Sequence, residues 1–234
     1  MISIIVPVYN QAQKLIKTLK SLANQTYLDY EVIIVNDGSR DQVDLVFAAY
    51  YKKLATENKY LFITQNNQGA PAARNRGLKE AAGEYLFFCD ADAVLKPEAL
   101  AIMLETLKLA PPASYAYPSF YWGRKLFKVG DFNPDKLKIG PYIHTMALIK
   151  RADFPAEGWD INIKKLQDWD LWLTMLEQGH IGIWVPQALF TVAPGGTISS
   201  WLPSFAYKFF PFLKRVKKYN EAVKIIKEKH GLGL

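Results

Sequence analysis

Two aspartates two positions apart, Asp90 and Asp92, directly follow the apolar run at 85–89. Such a run is typical of a buried strand, and open α/β sheets bind their ligands at the carboxyl ends of strands. Carboxylate oxygens at this edge suit Mg²⁺ or Mn²⁺, which usually contact substrate phosphates as well. The pair therefore predicts a metal-assisted phosphate site. Alone, the same spacing also fits an acidic turn before a helix that begins near Pro97.

Three other segments place polar residues at the ends of apolar runs. They read SIIVPVYN (3–10), VIIVNDGS (32–39) and NQGAPAARNRG (67–77). Together with GEYLFFCDAD (83–92), in this order and spacing, they closely resemble the family 2 glycosyltransferases, which have the GT-A fold. The resemblance is dense from Met1 to about Leu107, and it resumes at QDWDLW (167–172).

Alternating apolar runs and helical periods predict an α/β fold, a doubly wound and mostly parallel sheet with helices on both faces. We expect strands at 3–8, 30–35, 60–64 and 85–89. Helical spacing follows the first strand through Leu15, Leu19 and Leu22, and further helices are expected at about 43–54, 70–82 and 97–109. Residues 113–142 show no clean period, and a strand at 142–149, a helix at 167–178 and an extended segment at 181–192 follow. We expect a single Rossmann-like GT-A domain at 1–200, divided into a nucleotide-binding half (1–110) and an acceptor-binding half (111–200). A basic amphipathic helical tail at 201–234 completes the chain.

The resemblance implies a nucleotide-sugar site at the strand ends. Asp37 would accept a hydrogen bond from the base imide nitrogen, which favours uracil or thymine and is compatible with a guanine N–H. The predicted donor is UDP-linked, and Arg74 would contact its diphosphate. Asp92 would bind Mn²⁺ or Mg²⁺ directly, with Asp90 on the ribose or on a metal-bound water. Without the resemblance, residues 36–39 would be interpreted as a cap of the helix near Asp41. The implied donor-binding residues are Pro7, Val8, Tyr9, Asn10, Asp37, Asn67, Gly69, Arg74 and Asp90.

The resemblance assigns the chemistry to Asp168, which matches the base that deprotonates the acceptor hydroxyl in inverting members of the family. In-line attack requires such a base on the face opposite the departing diphosphate, whose charge the metal neutralises. Gln167 and Trp169 would lie on the acceptor side, with Trp169 stacked on a sugar. The structural alternative for Asp168 is an N-cap of the helix that follows.

The chain departs from the family pattern at two residues and in one segment. Ala93 and Gln167 stand where an acid is usual, and the segment 190–199 has neither the His nor the Arg of many relatives. His144 or His180 could replace that His, or each could be an ordinary structural histidine. The departures keep a second function open, a catalytically silent nucleotide-sugar-binding protein. A sugar nucleotidylyltransferase is disfavoured, because 8–12 is not a Gly-rich basic loop.

The composition fits one globular domain of 234 residues with a net charge of +7. Residues 201–234 hold eight Lys or Arg and two Asp or Glu, so the tail carries +6 and the rest of the chain only +1. The near-neutral body gives no indication of a nucleic-acid partner. The basic, aromatic stretch 201–218 fits either contact with an anionic membrane or packing on the domain.

The location follows from the same features. The single cysteine, Cys89, indicates a reducing compartment and a core position, and no secretory signal or bilayer-spanning run is expected. We therefore expect a cytoplasmic protein, in one interpretation peripheral on the inner face of the plasma membrane. The resemblance implies assembly of a surface polysaccharide or glycolipid on a saccharide or lipid-linked acceptor.

Overall fold

A computed structural model of the chain describes residues 1–54, 59–194 and 213–233. Helices and strands alternate through the first half, as the sequence predicts. A 3-10 turn lies at Arg151–Asp153, after the strand Leu148–Lys150 and before the helix Gln167–Glu177. In chain order the elements are β1 (Ile2–Val8), α1 (Ala12–Ala23), β2 (Tyr30–Asp37), α2 (Val43–Leu54), β3 (Lys59–Gln65), α3 (Ala70–Glu80), β4 (Tyr85–Phe88), β5 (Ala93–Leu95), α4 (Ala99–Leu109), β6 (Ala113–Trp122), β7 (Lys125–Phe127), α5 (Pro134–Ile139), β8 (Leu148–Lys150), α6 (Gln167–Glu177), β9 (Ile181–Val192) and α7 (Lys214–Lys229).

The first four strands form a parallel sheet in the order β3-β2-β1-β4. Their β-branched runs are buried, as expected for strands covered on both faces. Helix α3 packs closely on this sheet at Gly77, where an added Cβ would lie 2.5 Å from a methyl carbon of Ile5. Because the strands are parallel, their carboxyl ends meet at one edge, which is the edge that carries the motifs.

The second half of the sheet is mixed, and the order continues as β8-β6-β9-β5. Strand β8 runs antiparallel to β4 and β6, whereas β6 and β9 pair in parallel over most of their length. The segment without a clean period contains the ten-residue strand β6, whose first eight residues are all buried. A strand buried on both faces has no alternation to detect. The strand expected at 142–149 is found only at Leu148–Lys150, and residues 141–145 form part of the cleft wall instead.

Helix α7 packs on the domain through Val216 and Ile226, which are fully buried. At its end Lys229 and His230 contact Asp170 of α6, with Lys229 Nζ 2.8 Å and His230 Nε2 2.9 Å from Oδ1. The part of the tail at 213–233 thus packs on the domain. Residues 195–212, which include most of the stretch expected to contact a membrane, lie outside the described residues. Within the described part of the chain, no helix is both long and apolar enough to cross a bilayer.

Candidate active site

A cleft of about 710 Å³ opens at the carboxyl edge of β1, β2 and β4 and extends between the β6–β7 hairpin and the start of α6. It brings together most of the residues that the sequence singled out, although these are as many as 160 positions apart in the chain. The predicted site residues that line it are Pro7, Val8, Tyr9, Asp37, Arg74, Asp90, Asp92, Gln167 and Asp168.

Asn10 was predicted to bind the donor, but it joins two loops and does not line the described cleft. Its backbone has a φ of 52°, in the left-handed region that Asn tolerates. The backbone N–H donates to Ser39 Oγ at 3.0 Å, and Oδ1 accepts from the Arg40 N–H at 2.7 Å. Asn10 therefore joins the loop after β1 to the loop after β2 and positions Tyr9 beside the cleft.

Asp37 is the last residue of β2 and is almost fully buried. Its Oδ1 accepts from Gln65 Nε2 at 2.7 Å and from the Gln68 N–H at 2.9 Å, and its Oδ2 accepts from the Gly69 N–H at 2.8 Å. Asn67 donates to the Asp37 carbonyl at 2.9 Å. Asn67 and Gly69 thus hold this turn and do not line the described cleft. Since a carboxylate has about four acceptor positions, Asp37 keeps one for a ligand.

Arg74 connects the two halves of the cleft. Its Nη1 donates to Gln167 Oε1 at 2.8 Å, its Nη2 lies 3.3 Å from Asp90 Oδ1, and the guanidinium lies 4.6 Å from the ring of Trp159. Both terminal nitrogens therefore have partners within the protein, and contact between Arg74 and a diphosphate stays a prediction. The hydrogen bond from Arg74 also occupies the side-chain oxygen of Gln167, a residue that was expected to face the acceptor. Burial and the stacked ring fix the guanidinium in this bridging position.

Asp92 is buried at the cleft floor, where its Oδ2 lies 3.5 Å from Lys14 Nζ. Burial and the neighbouring Asp90 raise the pKa of Asp92, against the opposing charge of Lys14. The described residues contain no group of three metal-ligating side chains. Mg²⁺ is commonly held by one or two carboxylates plus substrate phosphates. Asp92 therefore fits a metal whose remaining ligands are the diphosphate and water.

Asp168 lies in the first turn of α6 and faces the cleft. Its Oδ1 accepts from the Trp169 N–H at 2.9 Å, which aims the carboxylate. Burial raises the pKa of Asp168, and the charges of His144 and Arg74 with that N–H only partly oppose the effect. A carboxylate with increased proton affinity in a cleft has the property required of a general base.

Trp169 does not have the expected role. It is fully buried, and its Nε1 donates to the Leu137 carbonyl, so no face of the indole is open to an acceptor sugar. Trp172, three positions on, is also core as expected, stacked on Tyr115 with ring centroids 4.4 Å apart. Their i, i+3 spacing places both indoles on the same, buried face of α6.

His144 is the one histidine in the described cleft. Its Nδ1 accepts from the Met146 N–H at 3.2 Å, which leaves the proton on Nε2, 3.8 Å from Asp90 Oδ2. The ring packs against both Phe120 and Phe190, which stack on each other. This position beside Asp90 fits the proposed replacement of the absent family His. His180, in contrast, bonds Ser114 Oγ at 3.0 Å and is structural.

Several residues of the cleft lie in segments where no motif guides interpretation. The signal that could have indicated them is the excess of basic and aromatic residues between Ala113 and Lys165. Helix α7 contributes one residue as well. These additional lining residues are Phe120, Trp122, Lys125, Phe127, Lys128, Lys136, Tyr142, Lys165 and Tyr219.

The family model described as Glycosyl transferase family 2 matches residues 3–156. The match covers well over half of the chain, and the chain belongs to glycosyltransferase family 2. Among curated proteins, it is 28% identical over 99% of its length to the uncharacterized glycosyltransferase YwdF of Bacillus subtilis, of which 85% is covered. It is 26% identical over 76% of its length to the chondroitin synthase of Escherichia coli. It covers 27% of the chondroitin synthase and about a third of several other curated relatives.

Two solved structures have a similar fold. One is Staphylococcus aureus TarS 1–349 in complex with UDP-GlcNAc, with a TM-score of 0.68, 21% identity and coverage of 92% of this chain and 65% of TarS 1–349. The other is the mannosyltransferase PcManGT of Pyrobaculum calidifontis with GDP-Man and Mn²⁺, with a TM-score of 0.68, 21% identity, and coverage of 82% and 56%. The expected GT-A fold is confirmed.

Proposed function

We propose that the protein transfers a sugar from a nucleoside diphosphate sugar to an acceptor hydroxyl, with inversion at the anomeric carbon. The observation that carries the proposal is the position of Asp168. This carboxylate, with its raised pKa, faces the same cleft as Asp37, Asp90 and Asp92. It does so although it lies about 80 residues beyond Asp92 in the chain. A nucleotide-binding edge and a candidate base in one cleft are the two requirements of the reaction.

The proposed donor is UDP-linked. The remaining acceptor position of Asp37 matches the imide N–H of uracil, and Pro7, Val8 and Tyr9 line the cleft beside it. The structures with a similar fold contain UDP-GlcNAc and GDP-Man, so both bases occur in this fold. A guanine N–H is also compatible with Asp37, and the base is therefore the first property to measure.

In the proposed reaction, Asp168 removes the proton of the acceptor hydroxyl as the oxygen attacks the anomeric carbon. The nucleoside diphosphate departs from the opposite face. Mn²⁺ or Mg²⁺, when bound, neutralises charge on this leaving group, and Asp92 is the residue that would hold the ion. Arg74 and Gln167 position the groups around Asp90 and Asp168 and keep both halves of the cleft in register.

The proposed setting is the assembly of a surface polysaccharide or glycolipid at the inner face of the plasma membrane. The acceptor would be a saccharide or a lipid-linked saccharide. The support for contact with the membrane is the composition of 201–218, where a stretch rich in aromatic residues is followed by a cluster of lysines and an arginine.

The test is calorimetric titration with UDP, GDP and dTDP, each with and without Mn²⁺, followed by assays with the sugars of the nucleotide that binds. Asp168→Asn should lower turnover by about 10²–10⁴-fold, the usual contribution of a general base, and leave nucleotide affinity unchanged. Full activity in this variant would refute the assignment of the base.

A catalytically silent nucleotide-sugar-binding protein is the second candidate. The observation in its favour is the Lys14 ammonium beside Asp92, together with Ala93 and Gln167 at positions where relatives have acids. Tight nucleotide binding by the wild-type protein, with no hydrolysis or transfer of any sugar, would favour this candidate.

A further inference from the structure

Charge is segregated within the cleft. Its four carboxylates, Asp37, Asp90, Asp92 and Asp168, come from the donor edge and the start of α6. No carboxylate from 113–165 lines the cleft among the described residues, although four lysines from this segment do. Over the whole segment there are nine Lys or Arg and five Asp or Glu, whereas residues 1–112 have twelve of each. The basic character is therefore specific to the acceptor half.

Three of these lysines lack a carboxylate partner among the described residues. Lys136 Nζ lies 4.2 Å from the ring centroid of Tyr142 and donates to the Val129 carbonyl at 3.3 Å. An ammonium has three N–H groups, so two remain for a ligand. Lys128 Nζ lies 5.8 Å from the ring of Trp184, and Lys165 lines the cleft three residues before Asp168.

Lys138 offers a contrast on the same helix as Lys136, because it does not line the cleft and lies 3.7 Å from Asp135. Lys128, Lys136 and Lys165 thus bring positive charge to the candidate acceptor site that no carboxylate of 113–165 in the cleft offsets among the described residues. Complementary charge on a ligand is the usual partner for such an arrangement.

We propose that the acceptor carries anionic oxygens, from a phosphate or a carboxylate, which Lys128, Lys136 and Lys165 bind. This inference rests on the proposed function, because it assigns the donor to the opposite side of the cleft. The donor diphosphate does not account for these lysines, since it would lie at the edge that carries Asp90 and Asp92, with Lys14 and Arg74 as the neighbouring cations.

The experiment uses the full chain saturated with UDP, so that the donor site is occupied. Glucose 1-phosphate, glucuronate and glucose are then titrated and followed by NMR. They share one ring and differ in charge. At least one anionic sugar should bind about tenfold or more tightly than glucose, and this preference should decrease with added salt. Preference for glucose 1-phosphate indicates a phosphate-bearing acceptor, and preference for glucuronate indicates a uronic acid.

Two variants test the residues. Combined Lys128→Gln and Lys136→Gln should abolish the preference for the anion without changing UDP affinity, and Lys138→Gln is the matched control that should retain it. Equal binding of glucose, absence of binding by all three sugars in the UDP complex, or an unchanged preference in the double variant would each overturn the inference. If UDP does not bind, the nucleotide that does bind in the calorimetric titration takes its place in this experiment; failure of UDP, GDP and dTDP alike would refute the proposed function and this inference together.

Discussion

Lys14 Nζ lies 3.5 Å from Oδ2 of Asp92, so the carboxylate expected to hold a metal already faces a cation. Lys14 is on α1 and Asp92 follows β4, which makes this contact a feature of the folded domain rather than of local sequence. A divalent ion on the same oxygen would be repelled by the ammonium. Lys14 therefore competes with the metal at the donor edge.

Replacing Lys14 with Gln should increase the affinity for Mn²⁺ in the UDP complex by about five- to tenfold. Two unit charges 4 Å apart in water interact by about 1 kcal/mol, the double charge of Mn²⁺ raises this to about 2 kcal/mol, and screening by salt reduces it to the order of the expected change. Mn²⁺ binding can be measured by EPR without any assay of activity. Lys17→Gln, at an exposed position of the same helix, is the control. Unchanged or weaker binding in Lys14→Gln would contradict the competition.

The raised pKa of Asp168 predicts the acid limb of the activity profile. A base must be deprotonated to act, so kcat/KM should fall with decreasing pH at a pKa above the ordinary carboxyl value of 3.8. The profile of sugar transfer between about pH 4 and 8 measures this pKa. An acid limb at or below the ordinary value would show that burial does not control this carboxylate.

Asp37→Ala should destabilise the fold as well as the nucleotide site. The substitution leaves the N–H groups of Gln68 and Gly69 without their acceptor, at a cost of about 0.5–1.5 kcal/mol for each lost hydrogen bond, because both residues are partly exposed and water can replace the carboxylate. Asp37→Asn should cost less, because its carbonyl oxygen can still accept one of these bonds. Urea unfolding of the three proteins gives the free energies. Equal stability of wild type and Asp37→Ala would mean that the turn does not depend on the carboxylate.

His230 links stability to pH. Burial lowers the pKa of His230, but hydrogen bonds and charge from Asp170 and Glu177 more than compensate, and the net effect is a raised pKa. The folded state therefore holds the proton more tightly than the unfolded state. Its contribution is complete below the unfolded value of about 6.5 and is lost as pH rises through the folded pKa.

The free energy of unfolding should accordingly decrease as pH rises above about 6.5, and His230→Gln should flatten this dependence. Lys229 contacts Asp170 and Asp160 and remains charged throughout this pH range, so its contribution to the free energy of unfolding does not change with pH. Thermal or urea unfolding from about pH 6 to 9 provides the measurement. A slope that persists in the variant would place the effect on another group.

The strand ends at the donor edge could be predicted from the sequence because each short motif follows a buried apolar run. The parallel strands then bring Asp37 and Asp92 to one edge without further information. The position of Asp168 depended on the resemblance, since an aspartate in the first turn of a helix is common in proteins.

The acceptor half was not predictable to the same degree. Strand β6 is buried along both faces and shows no period, and β7 and α5 are too short to be detected by periodicity. The burial of Trp169 and the contacts of Arg74 depend on how α6 meets the sheet. Such packing is a tertiary property, and single-sequence patterns do not encode it locally.

The bridging position of Arg74 has a consequence for the order of substrate binding. One nitrogen contacts Asp90 at the donor edge, and another contacts Gln167, the residue before the proposed base. A diphosphate that draws the guanidinium toward itself would loosen its hold on Gln167 and alter the surroundings of Asp168. Binding of the donor would then change the contacts of the residue beside the proposed base. This favours ordered kinetics in which the donor binds first.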